Sequence, residues 1–223
     1  MKRIPFFLAA SALVFFLACT AKVETKMDPI PAADMNVVAA SFTVKDFDMW
    51  KKGYMSHDSM RTAYAMETLL LGQGVDNPNM VYLVNKTTDL QKSKSLFAMP
   101  EMKTMMDSSG MIGAPTIEYA HVIRLDTSMA ANKMRLRVSH HVKDFDAWLK
   151  VYDAEGRAER AKYGLADRAM ARGLEDRNMV YITFYVVDKD KAMARGSSPE
   201  LKKLMMDAGV DSEPKMVLYN VVN

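Results

Sequence analysis

The chain has 223 residues, of which 49% are hydrophobic and 26% are charged, and its formal net charge is +3. Because the charge is nearly balanced and contains no basic run, the sequence has no electrostatic footprint for nucleic acid, and we expect no nucleic-acid partner. The single cysteine, Cys19, leaves no pair for a disulfide and no cluster of thiolates for a metal ion within these residues.

The first predicted segment is a secretory signal peptide at residues 1–18. Lys2 and Arg3 precede an apolar stretch at residues 4–18, which is shorter than a transmembrane helix needs. The stretch ends at Cys19 and resembles a bacterial lipoprotein signal, in which that cysteine is acylated and begins the mature chain. An ordinary cleaved signal with an incidental cysteine is the alternative.

The next segment, residues 19–34, is predicted to be a lipid-anchored tether because it is polar, contains proline and has no hydrophobic period. Thr20, rather than an acidic residue, follows the cysteine, which favours the outer membrane. We therefore expect the protein in the bacterial cell envelope, with the lipid membrane as its partner through acylated Cys19.

The rest of the chain contains an internal repeat. The sequence VKDFDMWKKGY at 44–54 returns as VKDFDAWLKVY at 142–152, and later matches lie 99 rather than 98 residues apart. A fixed repeat of this length predicts a tandem duplication of a whole domain. We place repeat 1 at 35–126 and repeat 2 at 133–223.

Each repeat reads as strand, helix, strand, strand, helix, strand. In repeat 1, strands are predicted near 35–44, 66–72, 79–86 and 116–125. Repeat 2 gives strands at 134–142, 165–173, 178–187 and 216–222, with a helix after Asp144, a helix from Lys189 broken at Gly196, and a restart at Pro199. This order is that of the ferredoxin-like α+β plait, with both helices on one face of the sheet. Two such repeats in one chain are expected to pack sheet to sheet, giving a monomer with an internal pseudo-dimer.

A set of motifs in the second repeat suggests a family. The set comprises DFDAWLKVYD from 144, Gly164, Arg172, Asp176, Asn178, Val180 and the SPELK segment from 198. With these motifs the chain resembles the dimeric α/β-barrel superfamily, in particular antibiotic biosynthesis monooxygenase-like domains, over about residues 35–223. This resemblance implies an intramolecular dimeric α/β-barrel with a pocket on the helix side, and the members of the superfamily include cofactor-free oxygenases, haem-handling enzymes and isomerases. Asn36 begins a strand, but the rest of the pattern of the haem-degrading members is not matched, so we expect no cofactor.

Paired aspartates at each first helix have a structural explanation. Asp46 and Asp144 are natural N-caps, and Asp48 and Asp146 place a negative charge in the first helical turn. No third ligand follows at useful spacing, so no metal site is predicted here.

The histidines are the candidate proton carriers. His140 lies on the apolar face of its strand where repeat 1 has Phe42, and His121 lies on the apolar face where repeat 2 has Asn220. An imidazole there exchanges a proton near neutral pH; a hydrogen-bonded core histidine is the alternative for each. His141 has the opposite parity, and His57 is predicted at the surface.

Matched aromatic residues are predicted to line the helix-side pocket. Such a wall suits a flat apolar ligand such as a phenol or quinol, with Tyr54 or Tyr152 positioning it. Plain core packing is the alternative. The predicted ligand-pocket residues are Trp50, Trp148, Phe42, Tyr82, Tyr181 and Asn220.

The chain contains 21 methionines, which is more than a protein of this length usually has. Clustered thioethers could hold Cu(I), but no methionine-rich tract occurs, so packing and gap filling is the favoured interpretation.

Three functions remain open at this point. The favoured one is binding of a small apolar or aromatic molecule. The second is a cofactor-independent monooxygenase or isomerase that uses His140 or His121 as proton carrier. The third is a structural or partner-binding envelope protein, which would fill both pockets with side chains.

Overall fold

The computed structural model of the protein describes residues 30–222. These residues form a closed barrel of eight antiparallel strands, in the order β1-β3-β2-β8-β5-β7-β6-β4, with the helices packed on the outside. The strands are β1 Ala32–Val44, β2 Met66–Gly74, β3 Met80–Thr87, β4 Met111–Leu125, β5 Met134–His141, β6 Leu165–Gly173, β7 Met179–Val186 and β8 Lys215–Val221. The helices are α1 Phe47–Ser56, α2 Asp58–Ala63, α3 Leu90–Ala98, α4 Pro100–Ser108, α5 Phe145–Lys162, α6 Lys189–Gly196 and α7 Pro199–Asp207.

The barrel consists of two four-stranded sheets joined at their edges. Strands β2, β3, β1 and β4 form the sheet of the first half, and β8, β5, β7 and β6 form that of the second. One seam pairs Gly72–Gly74 on β2 with Tyr219–Val221 on β8, and the other pairs β4 with β6, for instance His121 with Arg172. Because each edge strand is paired over part of its length, the two sheets join at both sides and the barrel closes. The predicted α+β fold of two ferredoxin-like repeats facing each other is confirmed.

Side-chain caps fix where the first helices begin, as the sequence predicts. Asp46 Oδ1 accepts from the backbone N–H of Met49 and Asp144 Oδ1 from that of Ala147, both at 2.8 Å. Each cap satisfies a backbone N–H group that has no partner within the first turn of its helix.

The change in repeat spacing coincides with a break in these helices. In the first half, His57 separates α1 from α2, whereas α5 continues past Gly156, which has φ +79° inside the helix. Glycine adopts this backbone conformation at little cost, so the inserted residue is absorbed as a kink.

Two strands are longer than the sequence predicts. β1 begins at Ala32, inside the predicted tether, and β4 begins at Met111 rather than near 116. The first part of β4 contains Gly113 and Pro115, which are poor strand residues, but pairing with the end of β1 across a register shift holds it extended. The predicted signal peptide (1–18), Cys19 and most of the tether lie outside the described residues.

Alternate residues of each strand face either the helices or the barrel interior. The interior contains a buried ion pair between Arg137 on β5 and Glu118 on β4, which links the two halves. Tyr82 and Tyr219 add a second link, with ring centroids 4.7 Å apart.

Within residues 30–222, no helix is long and apolar enough to cross a membrane.

Candidate functional site

Each half has a cavity between its sheet and its helices. The cavity of the first half has a volume of about 360 Å³, and that of the second about 180 Å³. Both lie on the helix side of the barrel, where the sequence places the pocket. Their walls are built from corresponding elements but differ in chemistry.

Aromatic side chains form one wall of the first cavity. The ring of Trp50 on α1 meets Phe42 on β1 edge-on at 5.2 Å between centroids and stacks on Tyr54 at 5.1 Å. Six methionines complete much of the remaining wall, and their flexible thioethers adapt to the shape of an apolar ligand. These are Met60, Met66, Met102, Met105, Met106 and Met111.

Tyr54 is held in place by contacts with three residues, Thr68, Asn85 and Arg61. Its hydroxyl lies 2.7 Å from Thr68 Oγ1 and donates to Asn85 Oδ1 at 2.9 Å. Arg61 donates to the Tyr54 carbonyl at 2.6 Å and places its guanidinium 3.9 Å from the ring centroid. Burial raises the pKa of Tyr54, so the phenol is neutral at physiological pH.

The second cavity repeats this arrangement with a stronger charge network. Trp148 packs against Tyr152 at 5.2 Å, and the Tyr152 hydroxyl donates to Asp167 Oδ1 at 3.2 Å. Arg160 binds both oxygens of Asp167, at 2.8 and 2.7 Å, and lies 3.9 Å over the Tyr152 ring. Burial, reinforced by the Asp167 charge, holds the pKa of Tyr152 well above 10.0.

The sequence analysis did not predict the pairing of a tyrosine with an arginine in each half. Arg61 and Arg160 are 99 residues apart, which is the later repeat spacing, whereas Tyr54 and Tyr152 are 98 apart. The repeated spacing of the two arginines was the available signal. One extra residue between Tyr152 and Arg160 hid the correspondence.

His140 lies in the wall of the second cavity and has no hydrogen-bonding partner in the described part of the chain. Its side chain is 2% exposed, and both ring nitrogens are buried without a protein partner. The ring meets Trp148 edge-on at 5.6 Å. Burial lowers the pKa of His140 to about 4, so the imidazole is neutral at physiological pH. A neutral imidazole offers one donor and one acceptor to a bound molecule.

The other histidines lie elsewhere. His121 bonds through Nδ1 to Asn36 Oδ1 at 2.9 Å, with Nε2 3.6 Å from Asp34, and it lines neither of these cavities. His57 is exposed at the edge of the first cavity, with Nδ1 2.7 Å from the Gly53 carbonyl. His141 binds Asp211 at 2.6 Å, and this hydrogen bond raises its pKa.

Of the predicted pocket residues, Phe42, Trp50 and Trp148 line the two cavities, but three others do not. Tyr82 and Tyr181 face the barrel interior, where the guanidinium of Arg137 lies 5.4 and 4.7 Å from their ring centroids. Asn220 pairs with Gln73 and Met134 along the strands and borders neither cavity. Tyr82 and Tyr181 lie on the strand face opposite to the residues that line the cavities, as period-two alternation requires.

Comparison with known proteins places the fold. No protein-family model matches the chain, and no curated protein matches it. It is similar to the crystal structure of an anthrone oxidase-like protein, with 18% identity, a TM-score of 0.56, and coverage of 87% of this chain and 95% of that one. A haem-binding protein from Thermus thermophilus has 11% identity, a TM-score of 0.50 and coverage of 87% and 94%. A ferredoxin-fold protein related to antibiotic biosynthesis monooxygenases, from Listeria monocytogenes, has 12% identity, a TM-score of 0.48 and coverage of 86% and 96%. At these identities, the first two similarities support the α/β-barrel fold and carry no activity with them.

The second cavity does not suit haem. It is little larger than a cavity of about 150 Å³ that holds benzene, so the four pyrrole rings of a porphyrin would not fit beside His140. Within residues 30–222, no group of three or more His, Cys, Asp or Glu side chains could hold a metal ion.

Proposed function

We propose that the protein is an envelope lipoprotein that binds a small apolar or aromatic molecule in its helix-side cavities. The observation that carries the proposal is the first cavity, a space of about 360 Å³ inside a wall of aromatic rings and thioethers. Ligand sites are typically concave, mostly apolar and equipped with a few polar groups. Tyr54, Asn85 and Arg61 supply those polar groups here.

The volume of the first cavity limits the size of its ligand. Because a cavity of about 150 Å³ accepts one benzene ring, about 360 Å³ accepts two or three rings. The stacked pair of Trp50 and Tyr54 offers a flat surface to such rings, and offset stacking adds to the apolar contact. The ligand class is therefore a flat, mainly apolar molecule of two or three rings.

Titration with N-phenyl-1-naphthylamine, a neutral three-ring probe whose fluorescence rises in apolar surroundings, tests this site. Ala40 lines the first cavity from β1, and the Ala40→Met variant places a larger side chain in it. We expect one probe per chain for the wild type and at least tenfold weaker binding for Ala40→Met. Val138 is the corresponding residue in the second half, so Val138→Met is the matched control and should bind within about twofold of wild type. Equal binding by wild type and Ala40→Met would overturn the assignment of this cavity.

A second candidate, a cofactor-independent oxygenase or isomerase, is favoured by His140. A neutral, unpartnered imidazole at the cavity wall is placed to accept a proton from an acidic O–H or C–H of a bound substrate. The similarity to an anthrone oxidase-like protein suggests a phenolic substrate class, with dioxygen as the second substrate of an oxygenase. In that case His140→Phe abolishes turnover and leaves the circular dichroism spectrum unchanged, and retained turnover excludes His140 from the mechanism.

The structural alternative is less well supported, because both cavities are open rather than filled by side chains. We also propose acylation of Cys19 as the link to the membrane. Cells expressing the chain should incorporate labelled palmitate into it and retain it in the membrane fraction. Cys19→Ser should lose both the label and the membrane association, and label retained by this variant would contradict the proposed anchor.

A further inference from the structure

The two cavities differ at the position where the first strand of each half faces them. Phe42 on β1 borders the first cavity, and His140 on β5 borders the second. We propose that the second cavity is a binding site of its own for a neutral aromatic alcohol with a single ring, whose hydroxyl bonds to the His140 imidazole. This proposal rests on the proposed function, since it assigns a ligand class to one of the same two cavities.

The size of the second cavity selects a single ring. Its volume of about 180 Å³ is half that of the first cavity and just exceeds the space that benzene occupies in an apolar protein cavity. One ring with one or two small substituents fills it. The rings of Trp148 and Tyr152 supply the apolar wall against which that ring packs.

The chemistry of His140 selects a hydroxyl group. Buried polar atoms in proteins nearly always have a hydrogen-bonding partner, yet neither ring nitrogen of this 2%-exposed side chain has one within the described residues. The unprotonated nitrogen accepts a hydrogen bond, and a phenolic O–H is a good donor for it. A bound phenol would therefore satisfy a buried group that a plain hydrocarbon leaves unsatisfied.

The charges around the second cavity select a neutral ligand. Arg160 is engaged by Asp167, and Arg195 is engaged by Glu155 at 3.2 Å and lies over the Tyr163 ring at 4.3 Å. Each guanidinium is therefore already paired with a carboxylate, which weakens its attraction for an anionic ligand. Glu213, which is exposed and also borders the cavity, further disfavours an anion.

A matched pair of probes isolates the hydroxyl group. p-Cresol and toluene have nearly the same shape, and they are titrated by calorimetry against protein carrying Ala40→Met, which narrows the first cavity. We expect p-cresol to bind about tenfold more tightly than toluene, as one hydrogen bond to an otherwise unsatisfied buried group predicts. Adding His140→Phe should remove this preference while the affinity for toluene stays within about threefold.

A preference that survives His140→Phe, or equal affinities before that change, would overturn the proposal. No heat from either probe at millimolar concentration would overturn it as well, whatever the larger probe does at the first cavity. If the wild type and Ala40→Met bind N-phenyl-1-naphthylamine equally well, by contrast, only the assignment of the first cavity is overturned. Nuclear magnetic resonance on the wild type gives a readout independent of any variant. The unprotonated ring nitrogen of His140 should shift upfield on addition of p-cresol and should not shift with toluene.

Discussion

Burial alone determines the protonation state of His140, because no charged group contributes to the lowering of its pKa to about 4. His141, the next residue along β5, experiences the opposite effect, since its hydrogen bond to Asp211 raises its pKa. Adjacent residues on a strand face opposite sides of the sheet, and here the two sides differ in access to water and carboxylates. One strand therefore carries two histidines with opposite responses to acid.

The depressed pKa of His140 predicts a loss of stability in mild acid. Because the unfolded state takes up a proton near pH 6.5 and the folded state only near pH 4, the free energy of unfolding falls as the pH falls through that window. The His140 contribution to this loss is about 3 kcal/mol when complete. Urea titrations of wild type and His140→Phe between pH 7 and 4 measure it, and the variant should lose less stability by about that amount.

His141→Gln is the control for this measurement. The raised pKa of His141 means that its contribution is fully present below the unfolded pKa of about 6.5 and is lost as the pH rises through the folded value. Its removal should therefore leave the loss between pH 6.5 and 4 in place. If wild type and His140→Phe have parallel pH profiles, His140 is not held neutral by burial.

At the scale of helices and strands, each half has an arginine that bonds to the carbonyl of a tyrosine and pairs with an aspartate. The two ion pairs differ in how deeply the aspartate is buried. Arg160 donates to the Tyr152 carbonyl and pairs with Asp167, whose side chain is 1% exposed. Arg61 donates to the Tyr54 carbonyl and pairs with Asp58, whose side chain is 70% exposed. The second half therefore joins α5 to β6 through a buried charge pair that the first half lacks.

This difference predicts unequal effects of removing the two carboxylates. Asp167→Asn leaves the buried Arg160 with Glu155 as its remaining carboxylate, at 3.2 Å, and should lower the free energy of unfolding by about 3 kcal/mol. Asp58→Asn removes an exposed partner and should cost less than about 1 kcal/mol. Chemical denaturation of the two variants compares them directly. Equal losses would show that burial of the pair does not matter.

These elements also show what the sequence could predict. Strands and helix caps depend on neighbouring residues, so a sequence can predict them. Alternation of apolar and polar residues locates the strands, and Asp144 locates the start of a helix. The cavity walls depend on distances between elements and on position along a strand. His121 has the predicted parity but lies beyond the cavity, beside Asp34 and Asn36. Asp167 is 15 residues from Tyr152 along the chain, so its bond to that hydroxyl follows only once α5 lies against β6.

At the scale of the whole molecule, the two halves are joined by more than the chain between them. The barrel closes through two backbone seams, β2 with β8 and β4 with β6. Inside it, Arg137 of the second half pairs with Glu118 of the first, and Tyr219 packs on Tyr82. Buried contacts of this kind are typical of a single cooperative unit rather than of two tethered domains.

A break in the connecting loop should therefore leave the molecule assembled. A protease site introduced between Ser128 and Ala131 lies outside the strands, and it spares Asp126, which binds Arg157 at 2.6 Å, and Asn132, which binds the Val186 carbonyl. After cleavage, native mass spectrometry should show both fragments in one particle of the uncut mass plus one water. The uncut chain should be a monomer by sedimentation, because its two sheets already close on each other within one chain. Fragments that separate, or an uncut chain that dimerises, would show that the seams do not close the barrel within one chain.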